Sequence, residues 1–110
     1  MSWIDLGSVT ALPERGARCV RLGSLTVAVF RTSTGEIFAL RDQCPHRGGP
    51  LSQGIVHGTR VTCPLHDWVI DLATGCATGA DEGSTPTYNV RVVDGRILLE
   101  VPVEALARAS

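Results

Sequence analysis

Apolar residues fall along this chain in short runs punctuated by glycine. The runs ARCVRLG and LTVAVFR flank a Gly-Ser turn, and EIFALR follows a turn at Thr34-Gly35. IVHGTRVTC predicts a hairpin turning at His57-Gly58. The clearest signal is YNVRVVDGRILLEV, where Asp94-Gly95 separates two alternating β-branched runs, the pattern of a tight two-residue hairpin. Turns return every 8 to 15 residues, and no segment before residue 102 carries a helical period. The pattern therefore predicts an antiparallel all-β domain, a small sandwich or barrel. The C-terminal tail 103–110 has helix-forming composition but is too short to hold a helix alone, so it either frays or docks.

At 110 residues the chain predicts a single domain, 1–110, able to bury roughly two-thirds of its unfolded surface. Neither a disulfide nor a metal is needed merely to make it fold. Net charge is −1, which provides no basic field for a nucleic-acid partner or an anionic membrane. All the basic residues are arginine, a bias to which no function attaches. The opening MSWIDLGSVTALPERG has no basic segment followed by an apolar core, and no apolar run approaches the ~20 residues of a membrane span. A cytoplasmic location is the resulting expectation, and there four cysteines point to metal or redox chemistry before disulfides.

Two segments stand apart from the strand pattern. CPHRGGPL begins at Cys44 after the run EIFALR, and CPLH begins at Cys63 after RVT. Together they read C-x-H, sixteen residues, then C-x2-H, so each loop offers one thiolate and one imidazole. Pro45 and Pro64 each follow a cysteine and fix the backbone angle where the loop turns. Gly48 and Gly49 allow a close backbone approach. The candidate ligands are therefore Cys44, His46, Cys63 and His66, on loops of about 43–51 and 62–71. Two cysteines and two histidines also suit tetrahedral zinc, although zinc sites usually pair cysteine with cysteine and histidine with histidine. One cysteine and one histidine per loop better suits a two-iron cluster in which two histidines replace two cysteines on one iron.

CPHRGGPL with CPLHDW resembles the Rieske 2Fe–2S motif. The resemblance implies a Rieske-type antiparallel β sandwich or barrel with a small cluster-binding subdomain formed by the two loops. It also implies that Cys44 and Cys63 bind one iron and His46 and His66 the other. High-potential members of the family carry an extra cysteine in each loop, where this chain has Gly49 and Leu65. They also place hydroxyl donors at the positions of Trp68 and Ile70, which have none to offer. Fewer donors to the cluster sulfurs imply a potential toward the low end, around −150 mV.

Over most of its length the chain further resembles the small subunit of NAD(P)H-dependent nitrite reductase, through WIDLG, LPERGAR, CPHRGGPLSQGIVHG, CPLHDWVIDLATG and GADEGSTPTYNVRV. That resemblance implies relay of single electrons, during reduction of nitrite to ammonia, with a large subunit carrying FAD, a 4Fe–4S cluster and sirohaem. No G-x-G-x-x-G fingerprint is present, so nucleotide cofactors belong to the partner. The chain alone is expected to be an electron carrier with no catalytic residue. The alternative is the free ferredoxin component of an aromatic-ring dioxygenase system. Such ferredoxins read C-T-H in the first loop and lack Asp-Glu-Gly after the second, so Pro45 and Asp81-Glu82-Gly83 set nitrite reductase ahead. A zinc-binding interaction module is the third reading.

The remaining notable residues read as structural. Cys19 lies in an alternating run, Cys76 in a turn, and His57 at a hairpin turn exposed to water. Trp3 is expected in the β core, and Leu51 and Trp68 around the cluster, where they exclude water. The tip formed by His46, Arg47, Gly48, Leu65, His66 and Trp68 is the expected electron doorway. Asp81, Glu82 and the tail are candidates for partner contact.

Overall fold

The computed structural model describes residues 2–23, 25–43, 50–64, 68–78 and 83–102. They form β1 (Ser2–Ser8), β2 (Gly16–Leu22), β3 (Leu25–Arg31), β4 (Ile37–Arg41), β5 (Ile55–His57), β6 (Arg60–Thr62), β7 (Val69–Asp71), β8 (Thr87–Tyr88), β9 (Val90–Val93) and β10 (Arg96–Val101). Three sheets result, ordered β1-β10-β9, β2-β3-β4-β8 and β5-β6-β7, and every strand pair is antiparallel. Among the described residues the helical segments are two 3-10 turns, Val9–Ala11 and Leu51–Gln53. The all-β expectation holds.

The β2-β3-β4-β8 sheet is the middle layer, and β3 shows why. Successive side chains of a strand point to opposite faces. Val27 and Val29, with Ala39 of β4, pack against Leu12, Ile97, Leu99 and Val101. Ala28 and Phe30, with Leu40 of β4, pack instead against Leu51, Val56, Val61, Cys63, Ile70 and Leu72. One strand thus feeds two cores, and Val27, Ala28, Val29 and Phe30 are all buried. Each fully buried Phe, Leu or Ile contributes about 1.5–3 kcal/mol relative to exposure.

The Asp94-Gly95 turn falls where the sequence places it, whereas the turn expected at His57-Gly58 lies one residue later, at Gly58-Thr59, because His57 still pairs in β5. Asp94 (φ 51°) and Gly95 (φ 76°) both take the left-handed conformation that a two-residue hairpin of this twist requires. β5 and β6 pair as His57↔Arg60, closing the hairpin across Gly58-Thr59. Two further expectations are corrected. The run from Tyr88 to Val93 is not one strand: it breaks at Asn89, so β8 pairs with β4 and β9 with β10. Asn89 holds the corner, its backbone oxygen accepting from the Glu100 N–H (2.9 Å) while its amide donates to Glu100 Oε1 (2.9 Å). Trp3 is 40% exposed rather than in the core, because its position on β1 turns it toward the Arg91 guanidinium, 4.7 Å from the ring centre.

Candidate metal centre

The two predicted ligand loops leave the same core from neighbouring elements. The first follows β4 and returns through the 3-10 turn Leu51–Gln53. The second follows β6 and returns into β7. Leu51 is completely buried between the middle sheet and the β5-β6-β7 sheet, so the return of the first loop is pinned to the base of the second. Gly54 makes that approach possible. A Cβ there would lie 2.3 Å from the Thr62 backbone oxygen, 2.9 Å from Val61 Cγ2 and 3.1 Å from the Leu51 oxygen.

Of the four predicted ligands, Cys63 lies within the described residues; Cys44, His46 and His66 lie outside them. Cys63 directly follows β6 and is 1% exposed, with Val61, Ile70 and Leu72 in the same apolar cluster. Its backbone N–H donates to the Trp68 oxygen at 2.7 Å, which closes the second loop at its neck. Trp68 is half-buried against that cluster and Leu51 is buried in it. A sulfur at a strand end, buried on its apolar side and followed by a short clasped loop, suits a metal thiolate held away from bulk water. The mixed thiolate and imidazole donor set fits a two-iron cluster of this ligation type.

The other cysteines take no part in this arrangement. Cys76 is exposed, bridged to Ser84, with its thiol 3.8 Å from the Thr74 carbonyl oxygen. Cys19 is exposed on β2. Its thiol is held above the ordinary cysteine value, first by desolvation and then by the hydrogen bond and charge of Asp42. Both effects make the reactive thiolate scarcer. His57 is exposed as expected, with Nε2 2.7 Å from Thr62 Oγ1. A depression of about 380 Å³ lined by Glu14, Arg15, Gly54, Ile55 and Val56 carries no thiol or imidazole. The residues 81 and 82 and the tail 103–110 lie outside the described residues.

Sequence reasoning missed Asp42. This carboxyl is 8% exposed, two positions before Cys44, and takes two hydrogen bonds from Ser52 at the far end of the loop. An acid just before a cysteine looks like an ordinary turn residue in the sequence. Its partners Ser52, Thr26 and Cys19 lie ten or more positions away in the chain.

Comparison with known proteins agrees with this geometry. The Rieske [2Fe-2S] domain family matches residues 2–89. The anthranilate 1,2-dioxygenase ferredoxin subunit of Burkholderia cepacia is 35% identical over 102 residues, covering 90% of this chain and 92% of that protein. The 3-phenylpropionate/cinnamic acid dioxygenase ferredoxin subunit of Photorhabdus laumondii is 36% identical over 108 residues, covering 94% of this chain and 99% of that one. Among solved structures, one assigned as an NADH-dependent nitrite reductase small subunit from Mycobacterium tuberculosis aligns with a TM-score of 0.82 at 27% identity, over 92% of this chain and 96% of that one. Relatives in sequence thus weigh toward dioxygenase ferredoxins, where the loop residues Pro45 and Asp81-Glu82-Gly83 had weighed toward nitrite reductase.

Proposed function

Because the chain belongs to the Rieske [2Fe-2S] domain family, its cofactor is a [2Fe-2S] cluster and it carries electrons between oxidoreductases; we propose that it does so as the ferredoxin component of a multicomponent dioxygenase. The proposed ligands are Cys44 and Cys63 on one iron and His46 and His66 on the other. When bound, the cluster takes up and returns one electron. The chain's own residues hold it at the ends of β4 and β6, with Leu51 and Trp68 keeping water from its protein side. The observation that carries the reading is the end-to-end match, at 35–36% identity, to two dioxygenase ferredoxin subunits.

The test is reconstitution. The iron-loaded chain is mixed with a ferredoxin reductase, NADH and a ring-hydroxylating oxygenase component, and substrate oxidation is followed with and without it. Turnover that rises with the concentration of this chain supports the reading; turnover independent of it sinks the reading.

A second reading has its own support. The fold alignment with the Mycobacterium tuberculosis protein and the Asp81-Glu82-Gly83 sequence favour a small subunit docked on a nitrite reductase large subunit carrying FAD, a 4Fe–4S cluster and sirohaem. Co-elution with such a large subunit, and nitrite-dependent NAD(P)H oxidation that requires this chain, would replace the ferredoxin assignment.

A further inference from the structure

The two ligand loops are closed at their necks by different chemistry. The second is clasped by a backbone bond, Cys63 N–H to the Trp68 oxygen, which survives any side-chain change. The first is clasped by a side chain. Asp42 Oδ1 accepts from the Ser52 N–H at 2.8 Å and Oδ2 from the Ser52 hydroxyl at 2.6 Å. These bonds join the residue before the loop to the residue after it, across residues 43–51.

Asp42 is itself anchored. Its N–H donates to the Thr26 oxygen in β3 at 2.9 Å, and the N–H of Gln43 donates to the Arg41 oxygen at 2.8 Å. Ser52 follows the fully buried Leu51, so its end of the bridge is fixed by the core. Among the described residues no cation pairs with the Asp42 carboxylate, which is 8% exposed. Placing an acid where it is nearly buried is costly unless donors satisfy it. Here both oxygens accept from Ser52, which stands across a loop carrying two predicted ligands, and the Cys19 thiol of β2 is a further hydrogen-bond partner.

We propose that Asp42 is a positioning residue for the cluster: through Ser52 it locks the neck of the loop that presents Cys44 and His46. Gathering a thiolate and an imidazole from a nine-residue segment costs chain entropy each time iron binds, and a closed neck removes part of that cost beforehand. The bridge therefore slows loss of the cluster and narrows the range of ligand geometries around it. The proposal rests on Cys44 and His46 being ligands, and is independent of which partner receives the electron.

The test uses the iron-loaded full chain with Ser52→Ala, Asp42→Asn, Asp42→Ala and, as reference, Cys44→Ser. The readouts are bleaching of the visible cluster absorbance under an iron chelator, the low-temperature EPR spectrum after dithionite reduction, and the urea midpoint of the iron-free chain. Ser52→Ala should bleach several-fold faster and Asp42→Ala about tenfold faster, the scale of a lost hydrogen bond to a charged group. Asp42→Asn, whose amide oxygen still accepts from the Ser52 N–H, should fall between wild type and Asp42→Ala. Combining Asp42→Ala with Ser52→Ala should add nothing further. Broadened EPR lines should accompany the faster bleaching. Wild-type bleaching and EPR in both Ser52→Ala and Asp42→Asn would overturn the proposal, as would acceleration that simply follows a fallen urea midpoint. A Cys44→Ser chain that keeps its cluster would overturn the ligand assignment, and the positioning role with it.

Discussion

Replacing Gly54 by alanine tests whether the ligand loops share one base. The backbone at Gly54 is ordinary (φ −79°, ψ 178°), so the added methyl brings no conformational strain and acts through space alone. That space is taken. The new carbon would sit 2.3 Å from the Thr62 oxygen, whereas ordinary contact begins near 3.4 Å, so the backbone must open by about 1 Å. The groups that would move are Leu51 and Val61, both completely buried, and Thr62, the residue before Cys63. Overpacking of this kind costs about 2 kcal/mol, within a usual range of about 1–3. With a urea slope of about 1.5 kcal/mol/M, the midpoint should fall by roughly 1.3 M.

The control is Gly35→Ala, where nothing lies within 4 Å and the cost comes from its φ of +87°. A left-handed alanine costs about 1–2 kcal/mol, so the two variants should lose comparable stability. They should differ in iron. Gly54→Ala should bind cluster poorly because the opening lies between the Leu51 and Thr62 oxygens, whereas Gly35→Ala should load normally. Iron per chain and visible absorbance decide the matter: equal loading of the two, or an unchanged urea midpoint in Gly54→Ala, would refute the shared base.

Cys63→Ser should lose its iron, while Cys19→Ser and Cys76→Ser, both at exposed sites, should retain full iron content by colorimetric assay. The Asp5 carboxyl is held below its ordinary value by the Arg96 hydrogen bond (2.7 Å) and then by the Gly7 N–H. A depressed folded pKa adds stability above the unfolded value and loses it as pH falls through the folded one. Asp5→Asn should therefore flatten the acid limb of stability below about pH 4, seen in urea midpoints from pH 3 to 6. Iron removal should speed amide exchange in β5, β6 and β7 while leaving the β2-β3 pairing protected, as hydrogen exchange by mass spectrometry can resolve.

What was legible in the sequence was local. Asp94-Gly95 announced its hairpin because only a few residue types accept two successive positive φ angles, and the structure has both there. The ends of β4 and β6 could be placed because each precedes a proline-bearing loop. Features set by distant parts of the chain were not legible. The break at Asn89 depends on Glu100, and nothing within YNVRVV marks it. Trp3 read as a core residue because it is large and apolar, yet its exposure follows from β1 pairing with β10 at the edge of its sheet. The Asp42–Ser52 bridge joins two polar residues ten positions apart, a relation invisible until Leu51 and β3 fix both ends.

The layered core divides the domain into one half that contains a predicted ligand and one that contains none. The face of the middle sheet carrying Val27, Val29 and Ala39 packs on Ile97, Leu99 and Val101, with no predicted ligand among them. Long pairings support this half: β2 and β3 run together from Gly16↔Arg31 to Leu22↔Leu25. The opposite face packs on three strands of three residues each, and its core contains Cys63. Strands that short hold together weakly by themselves. They are kept in place by Leu51, Val56, Val61, Ile70 and Leu72 packing on Phe30 and Leu40. Ligation by the proposed residues would therefore act on the layer of short strands, adding a cross-link between the two loop bases. The longer pairings fix the ends of β3 and β4, from which Asp42 departs, so the start of the first loop is expected to stay in place on metal loss. A carrier that gains and loses an electron without refolding needs this division, because a rigid frame keeps the geometry around the iron nearly the same in both oxidation states.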